Sequence, residues 1–178
     1  QTPGGSFVIF SDDRGATWHR GGLPAPGTDE SQVVELADGT VVLDARSPGT
    51  RTLVRSSDGG TTWSTPTPGL PMTEVMSGVI ALDPVGSDRP SPVLVHSGLA
   101  PDGRYDLRLW TSADDGATWS DPVVIVPGFV QYSVLSRLDD GTVGVVYESF
   151  GASVEPAGIG LNIRFARVDP RRLVSGAD

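Results

Sequence analysis

Five polar side chains are the candidates for chemistry: Glu30, Arg46, Arg104, Tyr132 and Glu148. Four of them obey one spacing rule. The run LADGTV at residues 36–41 matches LDDGTV at residues 138–143, and the two align on Gly39 and Gly141. Nine residues upstream, Glu30 falls opposite Tyr132; seven residues downstream, Arg46 falls opposite Glu148. Arginine suits a small anionic ligand, because its planar guanidinium can hold a carboxylate through two parallel hydrogen bonds. Each residue alone has an ordinary explanation. Glu30 reads as a solvated strand end, Arg104 as an exposed turn residue after Asp102-Gly103, and Tyr132 as β packing. Their joint positions make the case for a site.

The elements that must place them are hairpins. In ESQVVELADGTVVLDAR, residues 30–46, two β-branched runs flank Asp38-Gly39. Asp-Gly between such runs is a strong hairpin signal, since glycine takes positive φ at no steric cost. Two antiparallel strands joined by a tight turn bring their far ends together, so Glu30 and Arg46 are expected to meet. Glu35 differs from Glu30 by an odd number and is expected on the other strand face. Arg51, Arg55, Arg108 and Trp110 read as structural.

Composition points to an all-β chain. The 178 residues suffice for one domain with a real core. Gly 23 and Pro 15 are high, and the segments between them are short and rich in Val, Leu, Ile and Thr. No long window carries the helical period. No apolar run approaches the roughly 18 residues of a membrane-spanning helix. There is no cysteine, which excludes disulfides and thiolate chemistry. His19 and His96 are far apart without ligand-like neighbours, so neither a metal nor a cofactor is expected. The net charge of −9 argues against nucleic acid as a partner. The opening residues QTPGG look like a loop or a trimmed end, with no signal peptide visible.

An octapeptide recurs three times: SDDRGATW at 11–18, SSDGGTTW at 56–63 and SADDGATW at 112–119. The shared pattern is Ser-x-Asp-x-Gly-x-Thr-Trp. Each copy follows an apolar β run. Asp is expected to accept backbone N–H bonds inside a turn, Gly to supply the unusual φ, and Trp to anchor the turn on a sheet. The copies start 45 and 56 residues apart, a period that suits one copy per four-stranded propeller blade. The layout is a partial blade at 7–22 and further blades at about 30–69, 76–126 and 131–168. The last has RFARV at 164–168 as its third strand and no octapeptide. A weaker hairpin copy joins MSGVIAL at 76–82 to PVLVH at 92–96 across a Pro-rich turn.

The octapeptide resembles the Asp-box, or BNR repeat, and the wider pattern resembles the bacterial exo-α-sialidases. The resemblance runs through DESQVVELADGTVVLDARS (29–47), RYDLRLWTSADDGATW (104–119), VQYSVL (130–135) and VVYES (145–149). It implies a six-bladed β-propeller, of which residues 1–178 would be the C-terminal part, about three and a half blades. It also implies roles. Tyr132, in a Tyr-Ser motif, would be the nucleophile. Glu30, of the Glu-x-Gln-Val-x-Glu-Leu motif, would be its base. Arg46, sixteen residues later, and Arg104, eight before the third box, would bind the substrate carboxylate. Glu148, in a Tyr-Glu motif, would orient a further arginine. The chemistry accounts for the types. Sialic acid bears a carboxylate on its anomeric carbon, which would repel a carboxylate nucleophile; a neutral phenol avoids that repulsion.

Two parts of the family pattern are missing: the Arg-Ile-Pro arginine and an Asp acid/base. The only Arg-Pro, Arg89-Pro90, is unlike that motif. The resemblance therefore implies retaining hydrolysis of terminal sialic acid from a sialylated glycan, completed by an N-terminal sialidase segment or chain, in a secreted enzyme. The alternatives are a non-catalytic sialic-acid-binding propeller and a trans-sialidase. A lectin has no use for the Tyr–Glu pair; a trans-sialidase shares it.

Overall fold

The computed structural model describes residues 4–22, 24–82, 93–150 and 161–174. Apart from one helical turn, α1 (Arg171–Val174), its regular elements are antiparallel strands. A first hairpin pairs β1 (Gly5–Ser6) with β4 (Ala25–Pro26) and β2 (Ile9–Phe10) with β3 (His19–Arg20). A four-stranded meander follows: β5 (Ser31–Glu35), β6 (Val41–Ala45), β7 (Thr52–Ser56) and β8 (Thr67–Pro68). Next come β9 (Val79–Leu82), β10 (Val93–Gly98), β11 (Tyr105–Ser112), β12 (Val123–Arg137), β13 (Val143–Phe150) and β14 (Leu161–Val168). The Arg89-Pro90 dipeptide lies outside the described residues. No helix among the described residues is long and apolar enough to cross a membrane.

β12 belongs to two units. Its first part pairs with β11, from Leu109↔Val123 to Tyr105↔Phe129, and its second with β13, from Val130↔Ser149 to Arg137↔Val143. It is the outer strand of one blade and the inner strand of the next, which puts the change of blade near residue 130. The inner strands lie side by side, β5 against β9 and β9 against β12. The contact is close: a Cβ on Gly78 would come within 2.6 Å of the Leu135 nitrogen, so only glycine fits there.

The core lies between successive sheets. Ala25, Leu43 and Val54 pack with Val8 and Trp63 between the first hairpin and the meander. Val34, Val42, Leu53, Val79 and Leu94 join the meander to β9–β10. Val95, Leu107, Leu109, Val130, Val143 and Val145 join that blade to the last one, and Leu173 of α1 closes the cluster. Sheets stacked face to face around neighbouring inner strands are the arrangement of a propeller. On the last blade, Val134↔Val146↔Phe165 form a cross-strand row, and all three are exposed together with Ile163. This is a contiguous apolar face of the kind that normally meets a partner surface.

The three boxes fold alike. Ser11, Ser56 and Ser112 each donate to the Asp two residues on and accept the N–H of the Gly four residues on. Asp13, Asp58 and Asp114 accept both the backbone N–H and the hydroxyl of Thr17, Thr62 and Thr118 at 2.6–2.8 Å. Gly15, Gly60 and Gly116 have φ between 82° and 97°, as the octapeptide requires. Trp63 and Trp119 pack against the sheets, but Trp18 is 61% exposed. The first hairpin has only two-residue strands, too little sheet to receive the ring.

A buried polar cluster ties two blades together. Asp44 of β6 takes the Arg51 Nε–H on one carboxylate oxygen, and its other oxygen lies 2.9 Å from His96 Nε2 of β10. Arg51 also donates to the carbonyls of Val75 and Asp44, both at 3.1 Å. Burial alone would raise the Asp44 carboxyl, but the charges and hydrogen bonds of His96 and Arg51 outweigh it and hold it below its usual range. Arg51 is 1% exposed, so its structural reading holds. Arg55 is structural too, donating to the Asp115 carbonyl at 2.6 Å.

Two predictions follow from these contacts. Arg51→Leu strands a buried carboxylate and should cost about 3–5 kcal/mol of unfolding free energy in urea titrations. The box aspartates titrate at about 2, lowered first by the Thr side-chain hydroxyls. Because these folded-state values lie below the unfolded ones, their stabilisation is complete above about pH 4 and is lost as pH falls toward 2. Urea midpoints should therefore hold steady down to about pH 4 and drop below it, and Asp58→Asn should flatten that drop.

Candidate active site

The two hairpins end as their alignment implies. Leu36 and Leu138 each donate to the Thr four residues on, at 2.8 and 2.9 Å, and Gly39 and Gly141 have φ of 84° and 79°. In the first hairpin the register Ser31↔Ala45 continues outward to Glu30 and Arg46, where the Arg46 N–H donates to the Glu30 carbonyl at 2.9 Å. Their side chains form an ion pair of 2.6 Å, with 31% and 21% exposure. The Asp29 carboxylate lies 3.7 Å from Arg46 Nε and accepts the Glu30 N–H at 2.6 Å. Arg46 thus sits between two carboxylates. The Glu30 hydrogen bond, partly opposed by burial, and the negative charges of Asp29 and Glu30 hold its proton more tightly.

The second hairpin is less regular. β12 pairs Val130 with Ser149 and Ser133 with Tyr147, so it carries one residue more than β13 over that span. Gln131 and Tyr132 are the bulged pair, and Glu148 is the single residue facing them. Bulges of this kind re-aim side chains and are common beside active sites. Arg104 reaches the bulge from the segment before β11. Its carbonyl accepts the Val130 N–H at 3.2 Å, and its Nη1 donates to Gln131 Oε1 at 2.7 Å. Its guanidinium carbon lies 5.8 Å from the centre of the Tyr132 ring, a cation–π distance.

Three groups therefore converge. Arg46 and Arg104 line one cavity of about 480 Å³, with Thr73, Glu74 and Asp102 on its wall. Tyr132 stacks under Arg104 and lies within electrostatic range of Arg46. Tyr132 and Glu148 line a neighbouring hollow of about 250 Å³ with Met76 and Ile163. Its hydroxyl has no hydrogen-bond partner among the described residues, and neither has the Glu148 carboxylate. One expected contact is absent: Glu30 is bonded to Arg46 and not to Tyr132. A charged guanidinium is a stronger partner for a carboxylate than a neutral phenol. Sequence reasoning missed Gln131, because a bulge leaves no mark in the strand pattern. It also missed Asp29, whose place beside Glu30 was the available signal. Glu35 is exposed, while Trp110 packs with Leu70 and Met72.

Residues 1–145 match the family model of the BNR repeat-like domain. A sialidase of Micromonospora viridifaciens is 34% identical over 148 residues, covering 79% of this chain and 23% of its own. A Hadza microbial sialidase superposes with a TM-score of 0.70 at 32% identity, over 79% of this chain and 29% of the other. The intramolecular trans-sialidase of Ruminococcus gnavus, solved with oseltamivir carboxylate, also gives 0.70, at 25% identity over 93% and 38%. The chain spans about a quarter of the length of the curated relatives it matches. It belongs to the BNR repeat-like domain family and forms part of a sialidase-type β-propeller.

Proposed function

We propose that this chain carries the nucleophile side of a retaining exo-α-sialidase site. The observation that carries the reading is the stacking of Arg104 on a Tyr132 whose hydroxyl is unengaged, beside a cavity that Arg46 shares. The substrate carboxylate binds across Arg46 and Arg104. Tyr132 Oη attacks the anomeric carbon as the aglycone departs, and Glu30 takes the phenol proton. Water then attacks the anomeric carbon from the face the aglycone left, the tyrosyl–sugar bond breaks, and the phenolate recovers its proton from Glu30, so the configuration is retained. Because Glu30 holds Arg46 in the free protein, the arriving carboxylate competes for that arginine and releases Glu30 toward Tyr132. Positive charge that builds on the sugar ring is stabilised by the nearby Glu30.

Further blades complete this site. They supply a third arginine, which Glu148 orients, and an aspartic acid that protonates the leaving oxygen. They also cover the apolar row Val134, Val146 and Phe165. The substrate class, terminal sialic acid on glycans, places the enzyme outside the cell. A second reading, intramolecular trans-sialylation, is favoured by the Ruminococcus gnavus neighbour. It uses the same Tyr and arginines and differs in the acceptor, so analysis of the released sugar separates free sialic acid from an anhydro product.

Tyr132→Phe in the complete enzyme should lower kcat on an aryl sialoside by orders of magnitude and leave sialic acid binding largely intact; unchanged turnover would remove Tyr132 as nucleophile. The 178-residue chain alone should show no turnover of that substrate, and adding the N-terminal blades should restore it. Turnover by the chain alone would show that the third arginine and the acid are not required.

A further inference from the structure

The two arginines of the cavity are held in opposite ways. Arg46 is bracketed by the carboxylates of Glu30 and Asp29, at 2.6 and 3.7 Å. Arg104 has no carboxylate partner among the described residues. Its hydrogen-bond partner there is the neutral amide of Gln131, at 2.7 Å, and its guanidinium carbon lies over the Tyr132 ring, 5.8 Å from the centre. A guanidinium has only donors, so the contact fixes the Gln131 carbonyl oxygen toward Arg104. Gln131 is a residue of the β12 bulge, which is what turns its side chain to this use.

We propose that Gln131 is a positioning residue that orients Arg104 without neutralising it, which makes Arg104 the primary anchor for the substrate carboxylate. The inference rests on the sialidase reading and deepens it. A carboxylate arriving at Arg46 must displace Glu30. At Arg104 it meets a guanidinium that no carboxylate pairs with directly among the described residues and that Gln131 already holds in place, so no ion pair has to be broken. A glutamate would accept the same hydrogen bond and would serve a merely structural role equally well. At residue 131 it would also cancel the charge the substrate needs.

The test compares Gln131→Glu with Gln131→Met in the complete enzyme, by calorimetric titration with free sialic acid and with its methyl ester. Gln131→Met loses the positioning bond and keeps the charge; Gln131→Glu keeps the bond and cancels the charge. We expect the affinity for the free acid to fall in the order Gln, Met, Glu, with the glutamate variant roughly tenfold or more below the parent. The methyl ester, which has no negative charge, should bind the three proteins alike. The carboxylate persists through the reaction, so KM on an aryl sialoside should rise while kcat changes little. A glutamate variant that binds the acid as tightly as the methionine variant overturns the proposal, as does an equal loss for acid and ester. In either case the parent's binding of sialic acid still upholds the sialidase reading. A parent that does not bind sialic acid overturns both.

Discussion

Asp44 is the point on which the arrangement turns. Its carboxylate is the anion at the centre of a buried cluster that draws on three segments: its own strand β6, the start of β7 through Arg51, and β10 through His96. Arg51 extends the link to the Val75 carbonyl, just before β9. A buried cation and a buried carboxylate tolerate desolvation only when each finds its partner in good geometry. Each ring nitrogen of His96 faces an oxygen, Asp44 Oδ2 at 2.9 Å and the Ser97 carbonyl at 2.7 Å. Apolar packing alone would let neighbouring blades slide; directional bonds to one carboxylate do not. Asp44 is two residues from Arg46, and Val75 lies on the path to the blade that carries Arg104. The cluster thereby sets the distance between the two halves of the site.

Within each half, a different device does the placing. The first hairpin is regular to its end, so its terminal residues meet as a direct cross-strand pair, Glu30 with Arg46. The second carries a bulge, so its end splays Gln131 and Tyr132 across the single residue Glu148. The same hairpin plan thus yields a self-compensated ion pair in one copy and an unengaged phenol in the other. That asymmetry is what a site for an anionic sugar requires. In the proposed reading one arginine is guarded until a ligand arrives, one stands ready, and the phenol beside Arg104 is the nucleophile.

The Asp-boxes act at a distance from this chemistry. Their serines, aspartates and threonines satisfy one another and the local backbone, and their exposed carboxylates face solvent. They close the connection between the outer strands of a blade with a fixed geometry, and the packing of Trp63 and Trp119 attaches that turn to the sheets. The exposed Trp18 shows that the motif forms its turn from local bonds alone, with the tryptophan contact added only where a sheet is present.

Local chemistry was legible in the sequence. The boxes, the Asp-Gly turns and the strands all rest on contacts a few residues apart, and so does the equivalence of Glu30 with Tyr132 and of Arg46 with Glu148. The resemblance of those motifs to sialidases named the family that the comparisons then bore out. What only the tertiary structure decided was partnership. Glu30 chooses Arg46 over Tyr132 because an ion pair across adjacent strands outweighs a hydrogen bond to a phenol. Arg104 finds Gln131 because a bulge turns one side chain toward a segment 27 residues away in sequence. His96, without ligand-like neighbours in the sequence, becomes a core residue because Asp44 lies 52 residues from it in the chain and 2.9 Å away in space. Residue type and spacing announce which groups are present; the packing of one blade on the next determines which of them touch.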